Sequence, residues 1–315
     1  MTLTVGDQTT SVVTVRLLRT PDHRFEDLPD FDLTPNYVNI SHVDGGYARV
    51  AYVEEGPADG PPVLLLHGEP SWSFLYRKML PVLAEAGFRA IAPDLVGFGR
   101  SDKPADLSDH TYAFHVEWMR QLAFDVLDLR DVTIVGQDWG GLIGLRLVAE
   151  NPERFARVVA ANTGLPTGDH GMPDVWWAFR RVVEEAQVLD VGRLVQSGCR
   201  TELPERVRAA YDAPFPNEMY KAGPRVMPTI VPTAADDPAT EANRAAWATL
   251  TGLDLPFLCA FSDGDPITGA MGPILQRAMK GAAGLEHPTI AAAGHFLQED
   301  AGEELARVIV EFARH

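Results

Sequence analysis

Cysteine, basic side chains and long apolar runs are all scarce in this sequence of 315 residues. It has two cysteines, Cys199 and Cys259, far apart along the chain. This excludes a disulfide framework and argues against a cysteine-built metal site. No stretch of about 18 apolar residues occurs, so no membrane span is expected. Residues 1–16, treated as an extension, lack a signal-peptide pattern, and we therefore expect a cytoplasmic protein.

The charge is strongly unbalanced: 27 basic and 44 acidic residues give a formal net charge of −17. Such a chain repels phosphate backbones and anionic lipid surfaces. Nucleic acid and membranes are therefore not expected as partners, whereas a small-molecule substrate remains open. The charge is spread along the chain, and a solubility role accounts for it.

Short apolar runs alternate with longer helix-like segments, which is typical of a parallel sheet with crossover helices. The clearest buried strands are predicted at Val63–Leu66 and Val132–Val135. From residue 163 to residue 253 the alternation stops and only helical patches remain. We therefore predict an α/β core over residues 1–162 and 254–315, with residues 163–253 inserted as a helical cap over the carboxyl ends of the strands, where such sheets bind ligands.

A sharp turn that presents a nucleophile is predicted at Gly136-Gln137-Asp138-Trp139-Gly140-Gly141. This G-x-Nu-x-G pattern joins a buried strand to a helix, and it places Asp138 where esterases have serine. The alternative is that Asp138 only caps the helix. The turn predicts an α/β-hydrolase fold, with a mostly parallel eight-stranded sheet and helices on both faces.

The other two members of a catalytic triad are expected later in the chain, in the order nucleophile, acid, histidine. His295 lies between the last predicted strand and the last helix, where this fold places its base. The acid should follow the strand Pro256–Phe261, and we favour Asp265 over Asp263 and Ser262, since it lies deeper in the loop.

The loop His67-Gly68-Glu69-Pro70-Ser71-Trp72 follows a buried strand directly. In this fold that loop supplies one backbone N–H of an oxyanion hole, and the residue after the nucleophile supplies the other. Glu69 and Trp139 are therefore the predicted oxyanion donors. We interpret His67 as a structural residue that braces the loop.

An aspartate nucleophile indicates attack on a saturated carbon that bears a leaving group, because a carboxylate is ordinarily ionised near neutral pH. The resulting enzyme ester would then be hydrolysed by water activated by His295. This chemistry calls for no metal or organic cofactor. A halide leaving group needs only N–H donors, and the indole of Trp139 offers one.

With these motifs the chain resembles the haloalkane dehalogenases, specifically the subfamily with an Asp-His-Asp triad and two halide-binding tryptophans. The resemblance extends from about Leu17 to the closing helix and includes Gln137-Asp138-Trp139 and Gly294-His295-Phe296. It implies that Asp138 is the nucleophile, His295 the base, Asp265 the acid and Trp139 the first halide donor. The implied reaction converts a haloalkane and water into an alcohol, a halide and a proton.

The second halide-binding tryptophan is expected in the first cap helix, where the sequence departs from the family pattern. Matching Trp-x-Ala-Phe selects Trp176, and Trp177 is the neighbouring alternative. An ungapped count from Val191 selects Phe179, which would leave one donor missing.

Two other functions stay open at this stage. An epoxide hydrolase would use the same Asp138, but it would need cap tyrosines aimed at the nucleophile, for which Tyr211 and Tyr220 are the candidates. A non-catalytic ligand-binding protein on this scaffold is less favoured, because it would have no need of a complete triad. We expect a monomer.

Overall fold

The computed structural model describes residues 15–42 and 46–314. The predicted extension at residues 1–16 lies almost entirely outside these ranges. Seven strands form the main sheet, in the spatial order β1-β2-β4-β3-β5-β6-β7. They are β1 (Asn36–Ser41), β2 (Tyr47–Glu55), β3 (Pro62–Leu66), β4 (Arg89–Pro93), β5 (Val132–Gln137), β6 (Phe155–Ala161) and β7 (Phe257–Cys259).

The sheet is mostly parallel, as the sequence predicts. Only β2 runs against its neighbours, pairing antiparallel with both β1 and β4. The central strands β3 and β5 are mostly apolar and are buried almost completely; the polar exceptions in β5 are Thr133 and Gln137. Strands of this kind need cover on both faces, which the crossover helices supply.

The main sheet is predicted to have eight strands and has seven in the described structure, and two short strands form a separate pair beside it. Strand β8 (Phe261–Ser262) continues β7 after Ala260 and pairs in parallel with β9 (Thr289–Ile290). Strand β9 ends at Ile290, and two residues later Ala292 adopts a φ of 55°, which a strand cannot accommodate. This left-handed residue turns the chain toward His295.

The helices of the core cover both faces of the sheet and close the chain. Helix α2 ends at Arg120, and π-helical turns follow it directly at Gln121–Val126. The core helices before the cap are α1 (Leu80–Glu85), α2 (Tyr112–Arg120) and α3 (Trp139–Glu150), and those after it are α9 (Met271–Ala278) and α10 (Leu297–Arg314).

The segment between β6 and β7 contains helices joined by loops and no strand among the described residues. It contains α4 (Asp174–Glu185), α5 (Val191–Ser197), α6 (Glu205–Asp212), α7 (Ala222–Val226) and α8 (Thr240–Leu250). Helix α8 packs on α3 of the core, where Arg146 Nη1 donates to Asn243 Oδ1 at 3.1 Å. These five helices lie between residues 163 and 253. Within the described ranges no helix is long and apolar enough to cross a membrane.

Candidate active site

The predicted nucleophile lies on a strained turn between β5 and α3. Asp138 has φ 50° and ψ −125°, a conformation that L-residues rarely adopt. The backbone approaches very closely here: a Cβ on Gly140 would lie 1.9 Å from the Leu66 carbonyl oxygen. The turn is fixed from outside, because the Asp138 N–H donates to the Asn162 carbonyl at 3.0 Å and Thr163 Oγ1 donates to the Asp138 carbonyl at 2.7 Å. The side chain of Asp138 stays 19% exposed and is therefore accessible.

His295 lies between two carboxylates, as a catalytic base requires. Its Nε2 is 3.4 Å from Asp138 Oδ2, and its Nδ1 is 3.1 Å from Asp265 Oδ1. All three residues follow carboxyl ends of strands, which lie at the same edge of a parallel sheet. Burial alone would lower the pKa of His295, but Asp265 and Asp138 raise it to about 10. The two carboxylates therefore favour the imidazolium while both are ionised.

Asp265, and not Asp263, faces the imidazole. Burial would raise the pKa of Asp265, but the charge and hydrogen bonding of His295, with further hydrogen bonds from Thr268 and the Ile267 N–H, hold it below its ordinary value. Asp263 is 41% exposed and its Oδ1 accepts the Ala293 N–H at 3.3 Å. The serine that also competed for this role, Ser262, donates its hydroxyl to the Gly294 carbonyl instead.

The predicted oxyanion donors meet at the nucleophile. The Glu69 N–H donates to Asp138 Oδ1 at 2.9 Å. Trp139 is the first residue of α3, so its N–H is one of the helix-end donors that has no intrahelical acceptor. The positive end of the α3 dipole also lies here and adds to the electrostatic stabilisation of a negative charge.

The Glu69 side chain lies buried beside Asp138. Burial, with the nearby charge of Asp138, raises the pKa of Glu69 well above its usual range. Burial therefore favours the protonated form of Glu69 over its carboxylate.

His67 braces the loop that carries these groups. Its Nδ1 lies 3.0 Å from the Gly68 carbonyl oxygen, and its Nε2 accepts the Leu95 N–H at 3.0 Å. Burial lowers the pKa of His67, and both its ring contacts agree with the structural role predicted from the sequence.

The tryptophans fall into two groups, those whose indole N–H donates to a carbonyl and those whose indole N–H has no acceptor within the described structure. Trp72 Nε1 donates to the Ala210 carbonyl and Trp247 Nε1 to the Leu165 carbonyl. By contrast, no acceptor among the described residues takes the indole N–H of Trp139 or of Trp176. These two side chains are 3% and 5% exposed and belong to the same apolar core. Both donors are thus available to an anion.

The alternatives to Trp176 are less suited to this role. Trp177 is 39% exposed. Phe179 is half-buried and carries no donor. Among the three candidates on α4, Trp176 alone combines a buried ring with an N–H group. The guanidinium carbon of Arg180 lies 5.8 Å from the Trp176 ring centroid, which favours one ring orientation.

Of the two cap tyrosines that an epoxide hydrolase could use, Tyr211 has its hydroxyl bound to another group. Tyr211 is fully buried and its hydroxyl donates to Glu299 Oε1. That carboxylate is also paired with Arg77, whose Nη2 lies 2.7 Å from Glu299 Oε2. Tyr220 is half-buried, and its hydroxyl makes no hydrogen bond within the described ranges.

Two polar residues that the sequence did not single out hold the triad together. Asn162 Nδ2 donates to the Gly294 and His295 carbonyls at 2.9 and 3.0 Å, and its Oδ1 accepts the Ser262 N–H at 2.9 Å. Gln137 Nε2 lies 3.2 Å from both the carbonyl oxygen and Nε2 of His295. The only sequence signal for either residue is its place at a strand end, with Gln137 adjoining the nucleophile. Among the described residues, no cluster of three or more His, Cys, Asp or Glu side chains could hold a metal ion.

Comparison with known proteins agrees with this geometry. Residues 61–301 match the family profile of the alpha/beta hydrolase fold. A haloalkane dehalogenase of Psychrobacter cryohalolentis is 53% identical over 298 residues, which are 95% of this chain and 98% of the relative. The chain belongs to the haloalkane dehalogenases. Haloalkane dehalogenase 1 of Mycobacterium bovis is 52% identical over 92% of this chain and 96% of its own.

A solved structure extends the likeness to three dimensions. The haloalkane dehalogenase DpaA from Paraglaciecola agarilytica, described as a tetramer, superposes with a TM-score of 0.85 at 37% identity, covering 93% of this chain and 97% of DpaA. The comparisons confirm the fold, the family and the enzyme class predicted from the sequence, a hydrolase that acts on carbon–halide bonds.

Proposed function

We propose that this dehalogenase hydrolyses haloalkanes through an ester on Asp138, with His295 as the base and Asp265 as its orienting acid. The observation that carries the proposal is the position of His295 between the two carboxylates, 3.4 Å from Asp138 and 3.1 Å from Asp265. The accessible Asp138 carboxylate and the two unpaired indole donors support the same assignment.

In the first step an Asp138 oxygen attacks the carbon that bears the halogen. A carbon–oxygen bond forms, the carbon–halogen bond breaks, and the halide leaves with the bonding electron pair. The indole N–H groups of Trp139 and Trp176 stabilise the developing anion. Donors of this kind act strongly in a site from which water is excluded.

In the second step water attacks the Asp138 carbonyl carbon while His295 takes one of its protons. The N–H groups of Glu69 and Trp139 hold the resulting oxyanion. Collapse breaks the ester bond, the alcohol leaves with one proton, and the other proton goes to solvent. The sum is haloalkane plus water to alcohol, halide and proton, with Asp138 regenerated.

The contacts of Tyr211 weigh against epoxide hydrolysis, in which a phenol protonates the leaving oxygen. Its hydroxyl donates to Glu299, and burial raises the pKa of the phenol well above its ordinary value. A non-catalytic binder is disfavoured by the complete triad geometry.

The proposal is tested by incubating the protein with 1,2-dibromoethane and measuring bromide. We expect steady release by the wild type, none by Asp138→Ala, and one equivalent per site by His295→Phe, since the ester then persists. Mass spectrometry of His295→Phe should detect the alkyl group on Asp138. The matched control is Asp263→Asn, which should retain activity. A folded wild type that releases no bromide would overturn the proposal.

We further propose that the enzyme acts as a monomer in the cytoplasm. The two cysteines are free thiols, which suits a reducing compartment. Sedimentation velocity tests the monomer directly, because a tetramer like that described for DpaA would sediment about 2.5 times faster, as expected when the rate scales with mass to the two-thirds power.

A further inference from the structure

Gln137, the last residue of β5, is fully buried and faces the base. Its side-chain amide lies 3.2 Å from the His295 carbonyl oxygen, and the same amide atom lies 3.2 Å from His295 Nε2. A carbonyl oxygen only accepts, so the NH₂ group must face His295. The opposite end of the amide, Oε1, has no hydrogen-bond partner within the described ranges. Every hydrogen bond of this amide is therefore made to His295.

One of these two contacts is duplicated. Asn162 Nδ2 also donates to the His295 carbonyl oxygen, at 3.0 Å. The backbone of the catalytic loop thus keeps a donor whether or not Gln137 is present. The contact that Gln137 alone supplies is the one to Nε2, the ring nitrogen that faces Asp138.

An N–H donor at Nε2 has a chemical consequence. Nε2 can accept it only with its lone pair, that is, when the ring is neutral and its proton is on Nδ1 beside Asp265. The other ionisable groups that face the imidazole are Asp138, Asp265 and, near them, the buried Glu69. The two aspartates favour the imidazolium, and Gln137 opposes them.

The balance changes during turnover. When Asp138 becomes an ester it loses its charge, and one of the two carboxylates that favour the imidazolium is gone. Asp265 remains, and it still favours protonation. At this stage the base must be neutral, because only then can it take a proton from water.

We propose that Gln137 is a positioning residue that keeps Nε2 of His295 an acceptor in the alkylated enzyme, so that the ring is ready to receive the proton of the hydrolytic water. The inference rests on the proposed function. A 3.2 Å contact is at the long end of the hydrogen-bond range, so water can replace the amide at Nε2. The amide then remains bound to the His295 carbonyl oxygen.

The test separates the two chemical steps. Enzyme in excess is mixed with 1,2-dibromoethane from pH 6 to pH 10, the reaction is quenched with acid, and mass spectrometry follows formation and loss of the Asp138 ester. Gln137→Met keeps the side-chain length and removes the donor. We expect the pH midpoint of ester hydrolysis to rise by about one unit, while ester formation changes by less than about threefold.

Gln137→Glu provides a second variant, which should raise the midpoint further because a carboxylate would face Nε2. The matched control is Gln298→Met. Gln298 is equally buried and lies three residues from His295, but no hydrogen bond joins its side chain to the imidazole in the described structure. The pH midpoint of ester hydrolysis in Gln298→Met should equal that of the wild type.

The inference is overturned if both Gln137 variants keep the wild-type midpoint, or if both steps slow equally at every pH, as a merely structural role would predict. If Gln137→Met does not fold, the pH midpoint of ester hydrolysis in Gln137→Glu alone tests the inference. A wild type that forms no ester would instead refute the proposed function, so the two failures are distinguishable.

Discussion

Gly68 and Asp138 are in such close contact that a single added methyl group would collide with the nucleophile. A Cβ on Gly68 would lie 2.4 Å from Asp138 Cβ and 2.6 Å from its Oδ1. Real Cβ contacts are longer than about 3.0 Å, so either the loop or the nucleophile would have to move. The loop that supplies the Glu69 N–H can therefore sit over Asp138 only because residue 68 has no side chain.

We accordingly expect Gly68→Ala to damage both catalysis and stability. A misplacement of about 1 Å at the reacting centre costs on the order of 100-fold in rate. The overpacking itself should cost about 1–3 kcal/mol in the free energy of unfolding. Bromide release and urea unfolding measure the two effects. Gly171→Ala is the control, because a Cβ there would meet nothing within 4 Å. Full activity in Gly68→Ala would contradict the close contact.

The halide site makes a second prediction, which compares adjacent tryptophans of α4. Trp176→Phe should lower kcat/KM for a bromoalkane by about 100- to 1,000-fold, the loss typical of one anion-directed donor. Trp177→Phe should change it little, because that ring is 39% exposed. Steady-state bromide release measures both. The assignment fails if the Trp177 variant is the impaired one.

The arrangement of Asp138 and His295 could be predicted from sequence because its signals are local. Asp138 lies in a glycine-rich turn with a fixed pattern, and His295 lies at a fixed place between the last strand and the last helix. Asp265 was harder, since Asp263 lies in the same loop and only the fold decides which one faces the imidazole.

The supporting residues could not be predicted, because their partners are distant in sequence. Asn162 acts on Gly294 and His295, 132 and 133 positions away. Neither hydrophobic periodicity nor motif spacing predicts such long-range contacts. The expected second halide donor could not be assigned from sequence either, because an ungapped count along the chain selects Phe179 and a motif match selects Trp176.

A third prediction concerns the contact between cap and core. The Tyr211 hydroxyl donates to Glu299, which is paired with Arg77 in the protein interior. Tyr211→Phe removes a hydrogen bond to a charged group and should cost about 1.5–3 kcal/mol in the free energy of unfolding. Urea unfolding measures this cost. Dehalogenation should continue, since the phenol has no role in expelling a halide.

The control for that variant is Tyr220→Phe. Tyr220 also lies in the cap, but its hydroxyl makes no hydrogen bond in the described ranges, so the change should stay within about 0.5 kcal/mol. Equal stabilities of the two variants would show that the contact with Glu299 contributes nothing.

The final prediction follows from the pKa values of the His295–Asp265 pair. Asp265 has its pKa lowered by folding, so its contribution to stability is present above its unfolded pKa and is lost only in acid. His295 has its pKa raised from 6.5 to about 10. Its contribution is complete below pH 6.5 and is lost as the pH rises toward 10. The pair therefore stabilises the fold most between about pH 4 and pH 6.5.

Asp265→Asn removes one of the two carboxylates that raise the pKa of His295. The free energy of unfolding of the wild type minus that of Asp265→Asn should therefore fall as the pH rises from 6.5 to 10. Each unit by which Asp265 raises the pKa of His295 contributes about 1.4 kcal/mol to this fall. Urea unfolding at pH 6, 7.5 and 9 measures it. The control is Asp263→Asn, because Asp263 is a neighbouring aspartate that does not face the ring. For this variant the difference in free energy of unfolding from the wild type should not change between pH 6 and pH 9. A flat difference for Asp265→Asn as well would mean that Asp265 does not act on the charge of His295.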